Sequence, residues 1–128
     1  MHDLMGINHR TRGEVEAAIR QAVIKFEQDF MGRGPTDVRA FIVRDTILVR
    51  LKGVLTQAER QLAKNADGIE MVKRMRQNLI AQGRENLCGE ITSLTGIKVT
   101  GLFTDIDTQI GERMIVFTLD QDLESAFQ

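Results

Sequence analysis

Apolar residues recur along this chain at two spacings, and the switch between them marks out its elements. Over 13–31, Val15, Ala18, Ile19, Ala22, Val23, Phe26 and Phe30 fall three or four apart, which predicts one face of a helix. Glu14 and Glu16 lie in its first turn, where the helix dipole favours acids. Gly32-Arg33-Gly34-Pro35 then stops it. The period becomes two. Val38, Ala40 and Ile42 share one face of a strand, and Ile47, Val49 and Leu51 share one face of the next. Arg44-Asp45-Thr46 is the expected turn between them. Thr56-Gln57-Ala58-Glu59 has the pattern of a capping box and opens a short helix to about Lys64. After a break at 65–68, with Asp67 as the expected cap, a long helix runs over 68–94. Its expected apolar stripe is Ile69, Val72, Met75, Leu79, Ile80, Leu87, Ile91 and Leu94. Gly83 and Gly89 each weaken it by about 1 kcal/mol relative to Ala, and mark a bend or a close helix contact. Gly96 ends the helix. A second hairpin follows, 97–104 and 113–119, joined by a longer connection at 105–112.

The element order is α-ββ-αα-ββ. It predicts an α+β fold: a four-stranded antiparallel sheet from two helix–hairpin units, with the long helices packed on one face. Gly34, Val38 and Asp45-Thr46 parallel Gly96, Val99 and Asp107-Thr108, as a duplicated unit would. The chain divides into a flexible lead-in (1–12), one domain (13–120) and an acidic C-terminal tail (121–128). Val23, Phe26, Ile42, Val49, Leu79, Ile91 and Phe117 are the expected core.

Composition changes this picture in two respects. The 128 residues include six Phe but no Trp or Tyr, so the core is aliphatic. The net charge is only −1, against the basic excess usual for a nucleic-acid binder, but it is unevenly spread. Residues 33–52 carry five cations and two anions, whereas 101–128 carry one cation and six anions. The lone Cys88 fits a reducing compartment. The N-terminal residues contain no apolar signal region, and no window is apolar enough for a membrane span. These features together give a cytoplasmic protein without direct membrane insertion.

No catalytic constellation emerges. His2 and His9 fall in the lead-in, and Cys88 has no His near it in sequence. Neither a metal site nor a cofactor is expected, and Asp105 and Asp107 match only the start of a calcium loop. The candidate binding residues are Arg39, Phe41, Arg50 and Lys52, on the side of the first hairpin opposite its buried face. Arg33, between two glycines, is added as a candidate anion contact. At most one exposed Phe is expected on that face, which counts against base stacking and an RNA-binding role. A homodimer is expected, because one sheet face is left open and the two ends of the chain are oppositely charged.

The runs Gly32-Arg33-Gly34-Pro35, 47–56 (ILVRLKGVLT) and 59–64 (ERQLAK) resemble a family of small bacterial proteins called MpsC. So do 94–99 (LTGIKV), Asp105-Ile106-Asp107-Thr108 and 111–119 (GERMIVFTL). The resemblance implies an association with membrane components of ion or inorganic-carbon uptake, and it supplies no catalytic residues. The expectation is a non-catalytic accessory or regulatory protein working through protein contacts, held at the inner face of the membrane by a partner. The alternative is a small anion sensor or an RNA-binding module that uses the basic first hairpin.

Overall fold

The structure, a computed structural model, describes residues 10–127. Helix α1 (Arg12–Met31) starts at a reciprocal cap. The Glu14 amide donates to Thr11 Oγ1 at 3.1 Å, and the Thr11 amide donates to Glu14 Oε1 at 2.8 Å. The helix ends at Gly32, whose φ of 86° no residue with a β-carbon adopts cheaply. Strands β1 (Asp37–Val43) and β2 (Thr46–Lys52) follow. Their turn is tighter than the sequence suggests, because Thr46 already pairs with Val43. Helix α2 (Gln57–Leu62) opens on the Thr56–Glu59 capping box. Helix α3 (Ala66–Thr95) is capped by Asn65 rather than Asp67: Asn65 is extended, and its side chain accepts from the Gly68 amide at 2.8 Å. Strands β3 (Val99–Asp107) and β4 (Glu112–Leu119) extend into the expected connection, since the alternation continues through the buried Ile106.

The fold is α+β. All strand pairs are antiparallel, in the order β1-β2-β4-β3, so the two hairpins join through β2 and β4. The order is symmetric about that seam, with the α1–β1–β2 unit on one side and α3–β3–β4 on the other. Both long helices lie on the same sheet face. Val15, Ile19, Val23 and Phe26 of α1, and Val72, Ile80, Leu87 and Ile91 of α3, bury Ile42, Val49, Ile115 and Phe117.

The buried stripe of α3 differs from the expected one. It runs through Gly68, Val72, Arg76, Ile80, Gly83, Leu87, Ile91 and Thr95. Leu79 is only partly buried and Met75 is 43% exposed, so neither belongs to the core. Gly83 marks a close helix contact: a β-carbon there would run into the rings of Phe26 and Phe30. Gly89 faces open space.

The expected acidic tail folds back. Leu123 is fully buried, and a 3₁₀ turn, Glu124–Phe127, follows it. The amides of Leu123 and Glu124 donate to the Arg44 carbonyl at 3.0 and 3.1 Å, and the Arg44 amide donates to Glu124 Oε1 at 2.8 Å. These bonds hold Arg44 at φ 58°, an uncommon backbone state for a side-chain-bearing residue. Of the expected lead-in, 1–9 lie outside the described residues, His2 and His9 among them.

Helix side chains occupy backbone groups on both edge strands. On β1, the Ile42 amide donates to Glu16 Oε2 at 3.2 Å, and its carbonyl accepts from Arg12 Nη2. On β3, the Leu102 carbonyl accepts from Arg84 Nη1 at 3.2 Å. Such contacts blunt an edge that could otherwise pair with another chain.

Candidate functional site

The sheet face turned away from the helices has no covering element among the described residues. Strand alternation places Asp37, Arg39, Phe41 and Val43 of β1 on it, with Thr46, Leu48, Arg50 and Lys52 of β2. From the second hairpin come Glu112, Met114, Val116 and Thr118 of β4, and Phe103 and Asp105 of β3. The registers align these residues in rows across the strands. Phe41, Leu48, Val116 and Phe103 are successive neighbours and form an apolar row spanning all four strands. Phe41 is 45% exposed and Phe103 62%. The adjacent row is Arg39, Arg50, Met114 and Asp105, and the next is Asp37, Lys52, Glu112 and Asp107. The face therefore has an apolar part and a charged part.

Four of the five sequence-chosen residues, Arg39, Phe41, Arg50 and Lys52, come together on this face. Arg33 sits elsewhere, where its guanidinium donates to the carbonyls of Gly34 and Leu55. Two phenylalanines are exposed on the face, not one at most. Phe103 was hidden from a reading confined to the first hairpin, because its strand register became clear only with the pairing. The basic character of the first hairpin is also partly balanced. Arg50 donates to both Glu112 oxygens at 2.9 and 3.3 Å, which raises the guanidinium pKa, and Arg39 lies 3.4 Å from Asp37.

A second feature lies beyond the reach of apolar periodicity. Glu27 of α1, Glu59 of α2, Arg76 of α3 and Arg113 of β4 form a buried charge cluster beneath the sheet's inner face. Arg76 Nε and Nη2 donate to the two Glu59 oxygens at 2.8 Å each, and Nη2 also donates to the Val54 carbonyl at 2.8 Å. Glu27 lies 3.5 Å from Arg76 Nη1 and 3.9 Å from Arg113 Nε. Neither Glu27 oxygen has a hydrogen-bond donor among the described residues. Burial therefore pushes the Glu27 carboxyl above its usual range, against the pull of Arg113 and Arg76. Burial also acts to raise Glu59, but the bonds from Arg76 and Thr56 outweigh it and the carboxyl ends below its ordinary value. A signal for the cluster was present in the sequence. Arg76 lies four residues from both Val72 and Ile80, and Arg113 alternates with Ile115 and Phe117.

Arg76 and Arg113 also line a cleft of about 270 Å³ between α3 and the β3–β4 hairpin. Its rim charges are paired, Lys73 with Asp105 at 3.5 Å and Arg74 with Glu70 at 3.8 Å. Among the described residues, no three His, Cys, Asp or Glu groups are placed to hold a metal ion. Asp107 Oδ1 accepts from the Gln109 and Ile110 amides at 2.9 and 3.4 Å, which shapes the β3–β4 turn. Cys88 is half-buried, and burial raises its thiol pKa, away from the reactive thiolate.

A family model described as "Na+-translocating membrane potential-generating system (MpsC)" matches residues 11–121. The chain belongs to the MpsC family. Two relatives from Bacillus subtilis (strain 168) are similar to it. "Uncharacterized protein YbcI" is 38% identical over 115 residues, covering 90% of this chain and 93% of the relative. "Uncharacterized protein YrhF" is 28% identical over 101 residues, covering 78% of this chain and 83% of the relative. No solved structure matches the chain. Among the described residues of this MpsC-family chain, no helix is long and apolar enough to cross a membrane.

Proposed function

We propose that this MpsC-family chain is a non-catalytic accessory subunit of a membrane ion-uptake system, working through protein contacts on the open face of its sheet. The observation that carries the reading is the Phe41–Leu48–Val116–Phe103 row, which crosses all four strands and which no described element covers. Exposed apolar surface of this continuity marks contact sites on proteins more often than it marks idle surface. The family description supplies the membrane-potential context. With no described helix able to span a bilayer, the chain reaches that system through a partner, at the cytoplasmic face. The mixed charge of the face favours a protein over a polyanion: three basic residues of the first hairpin stand beside the acids Glu112, Asp105 and Asp107 of the second. The buried cluster supports a structural role for its ionisable groups, because the Arg76 and Glu59 bonds are made to one another and to the backbone.

The test is complementation. Cells lacking the gene are supplied with wild type, with Phe41→Ser/Phe103→Ser, or with Met71→Ser on the exposed side of α3, and membrane potential is read with a voltage-sensitive dye. The reading expects the double variant to accumulate folded yet fail to restore the potential, while Met71→Ser restores it. Full restoration by the double variant overturns it.

A further inference from the structure

We propose that the open sheet face binds a second copy of the chain, about a two-fold axis lying between the two sheets and parallel to their strands. This rests on the reading that the face is a contact surface, and it names the occupant. Two sheets packing face to face keep their strands roughly aligned, about 10 Å apart. A two-fold axis lying between them can then run along the strands or across them, and the two choices place different residues opposite one another.

With the axis along the strands, β1 lies over the partner's β3 and β2 over the partner's β4, with each row over the same row. Phe41 then meets the partner's Phe103, and Leu48 meets the partner's Val116. Arg39 meets the partner's Asp105, and Lys52 meets the partner's Glu112. The apolar row covers its own copy and the basic hairpin covers the acidic one. The single like-charged pair, Asp37 over the partner's Asp107, falls at a corner where water screens it. With the axis across the strands, each hairpin would cover its own copy with the rows reversed. With the rows fully overlapped, Arg39 would lie over the partner's Phe41 and Arg50 over the partner's Leu48, so cations would face the apolar row and the acids Asp105 and Glu112 would have no cation opposite them. Charge and apolar pattern, two independent features of the rows, select the same axis.

Arg39 and Asp105 are accessible, their side chains 64% and 81% exposed. Each already has an opposite charge beside it in its own chain, Asp37 at 3.4 Å and Lys73 at 3.5 Å, and the Glu112 side chain, 18% exposed, also holds Arg50. The alternative route to self-association, pairing of sheet edges, is obstructed by Arg12, Glu16 and Arg84, which hold backbone groups of β1 and β3. An isologous two-fold contact also closes on itself, and so gives a dimer rather than a filament.

The test uses a distinctive property of this geometry. Arg39 and Asp105 lie on opposite edge strands of one chain, three strand spacings or roughly 14 Å apart, so they do not meet within a chain. They meet only across the interface. Arg39→Asp and Asp105→Arg are each made in the full chain, and mass is followed by sedimentation over a concentration series. Wild type is expected to be a dimer at tens of micromolar. Each single variant is expected to dimerise roughly tenfold or more weakly, with a melt unchanged at concentrations low enough for wild type to be monomeric too. An equimolar mixture of the two should recover the dimer. In the mixed pair the introduced aspartate faces the introduced arginine, and the Arg39 kept by one variant faces the Asp105 kept by the other.

Recovery on mixing supports the proposed axis. Single variants that dimerise like wild type, or a mixture that stays monomeric, overturn it. So does a wild type that is monomeric at low and high salt. In that last case the complementation result separates the two readings. Failure of Phe41→Ser/Phe103→Ser in cells leaves the face as a contact for a different protein, and its success removes both readings.

Discussion

Replacing Arg76 by Met tests the buried cluster directly. Met approximates the aliphatic stem, so the change removes the guanidinium with little loss of packing. Three hydrogen bonds of 2.8 Å go with it, two to Glu59 and one to the Val54 carbonyl, and Glu27 loses its nearer counter-charge. Bonds to charged groups contribute about 1.5–3 kcal/mol each. Glu59 keeps its bonds with Thr56, however, so the smaller figure for breaking a buried ion pair applies, about 3–5 kcal/mol. That is a large share of the roughly 5–15 kcal/mol that holds a domain folded. Urea titration followed by far-UV circular dichroism measures it. The pH dependence adds a second check. Without Arg76, burial raises the Glu59 carboxyl as it already raises Glu27. A carboxyl whose folded pKa exceeds its unfolded value stabilises the fold at low pH and loses that contribution as pH rises through the folded value. The deficit of Arg76→Met should therefore shrink as pH falls from neutrality toward the ordinary carboxylate value of 4.5. A loss below about 1 kcal/mol at neutral pH, or a deficit that grows on acidification, would refute the account of the cluster.

The two helix glycines should respond oppositely to alanine. Gly83→Ala forces a β-carbon into Phe26 and Phe30 and should destabilise by about 1–3 kcal/mol, whereas Gly89→Ala should stabilise by about 0.5–1 kcal/mol, both read by urea melts. Leu123→Ala should destabilise by about 2–5 kcal/mol, because the C-terminal segment is part of the core; a loss near zero would make it a tail after all. The Glu124 carboxyl is held below its usual range by the Arg44 amide and then by Arg12, so its contribution is present above the unfolded value and lost as pH falls through the folded one. Thermal melts of wild type and Glu124→Gln should accordingly differ at neutral pH and converge in acid.

What the sequence made legible was whatever follows from local periodicity. The α1 stripe through Val15, Ile19, Val23 and Phe26, the alternation of Ile47, Val49 and Leu51, and the Thr56 cap all depend on neighbours within a few residues. The open-face cations Arg39, Arg50 and Lys52 were readable for the same reason. What was not legible depended on residues distant in sequence. Arg76 looks like a surface residue until Glu59 and Glu27 are brought beside it, so apolar periodicity alone runs through Met75 and Leu79 instead. Phe103 joins Phe41 only through two intervening strands. The C-terminal acids looked like a solvated tail because their partner, the strained backbone of Arg44, lies at the far end of the first hairpin. The Asn65 cap was missed for a local reason: two residues with capping side chains, Asn65 and Asp67, stand close together, and the extended backbone falls on the first.

The seam between β2 and β4 has a kinetic consequence. Each hairpin can zip from its own turn, but Thr46 must find Thr118 and Lys52 must find Glu112 across the whole of α3. Closing so long a loop is slow compared with forming either hairpin. Until it closes, the chain carries two bare strand edges, and they are the ones that end up at the middle of the sheet. The side chains that guard β1 and β3 in the finished fold offer those inner edges no protection. On crowded ribosomes, a β2 edge from one chain can meet the β4 edge of its neighbour and form the same seam between molecules, exchanging whole helix–hairpin halves. The segment that joins the halves, residues 53–65 with α2 inside it, is the hinge on which closing on itself and exchanging halves diverge.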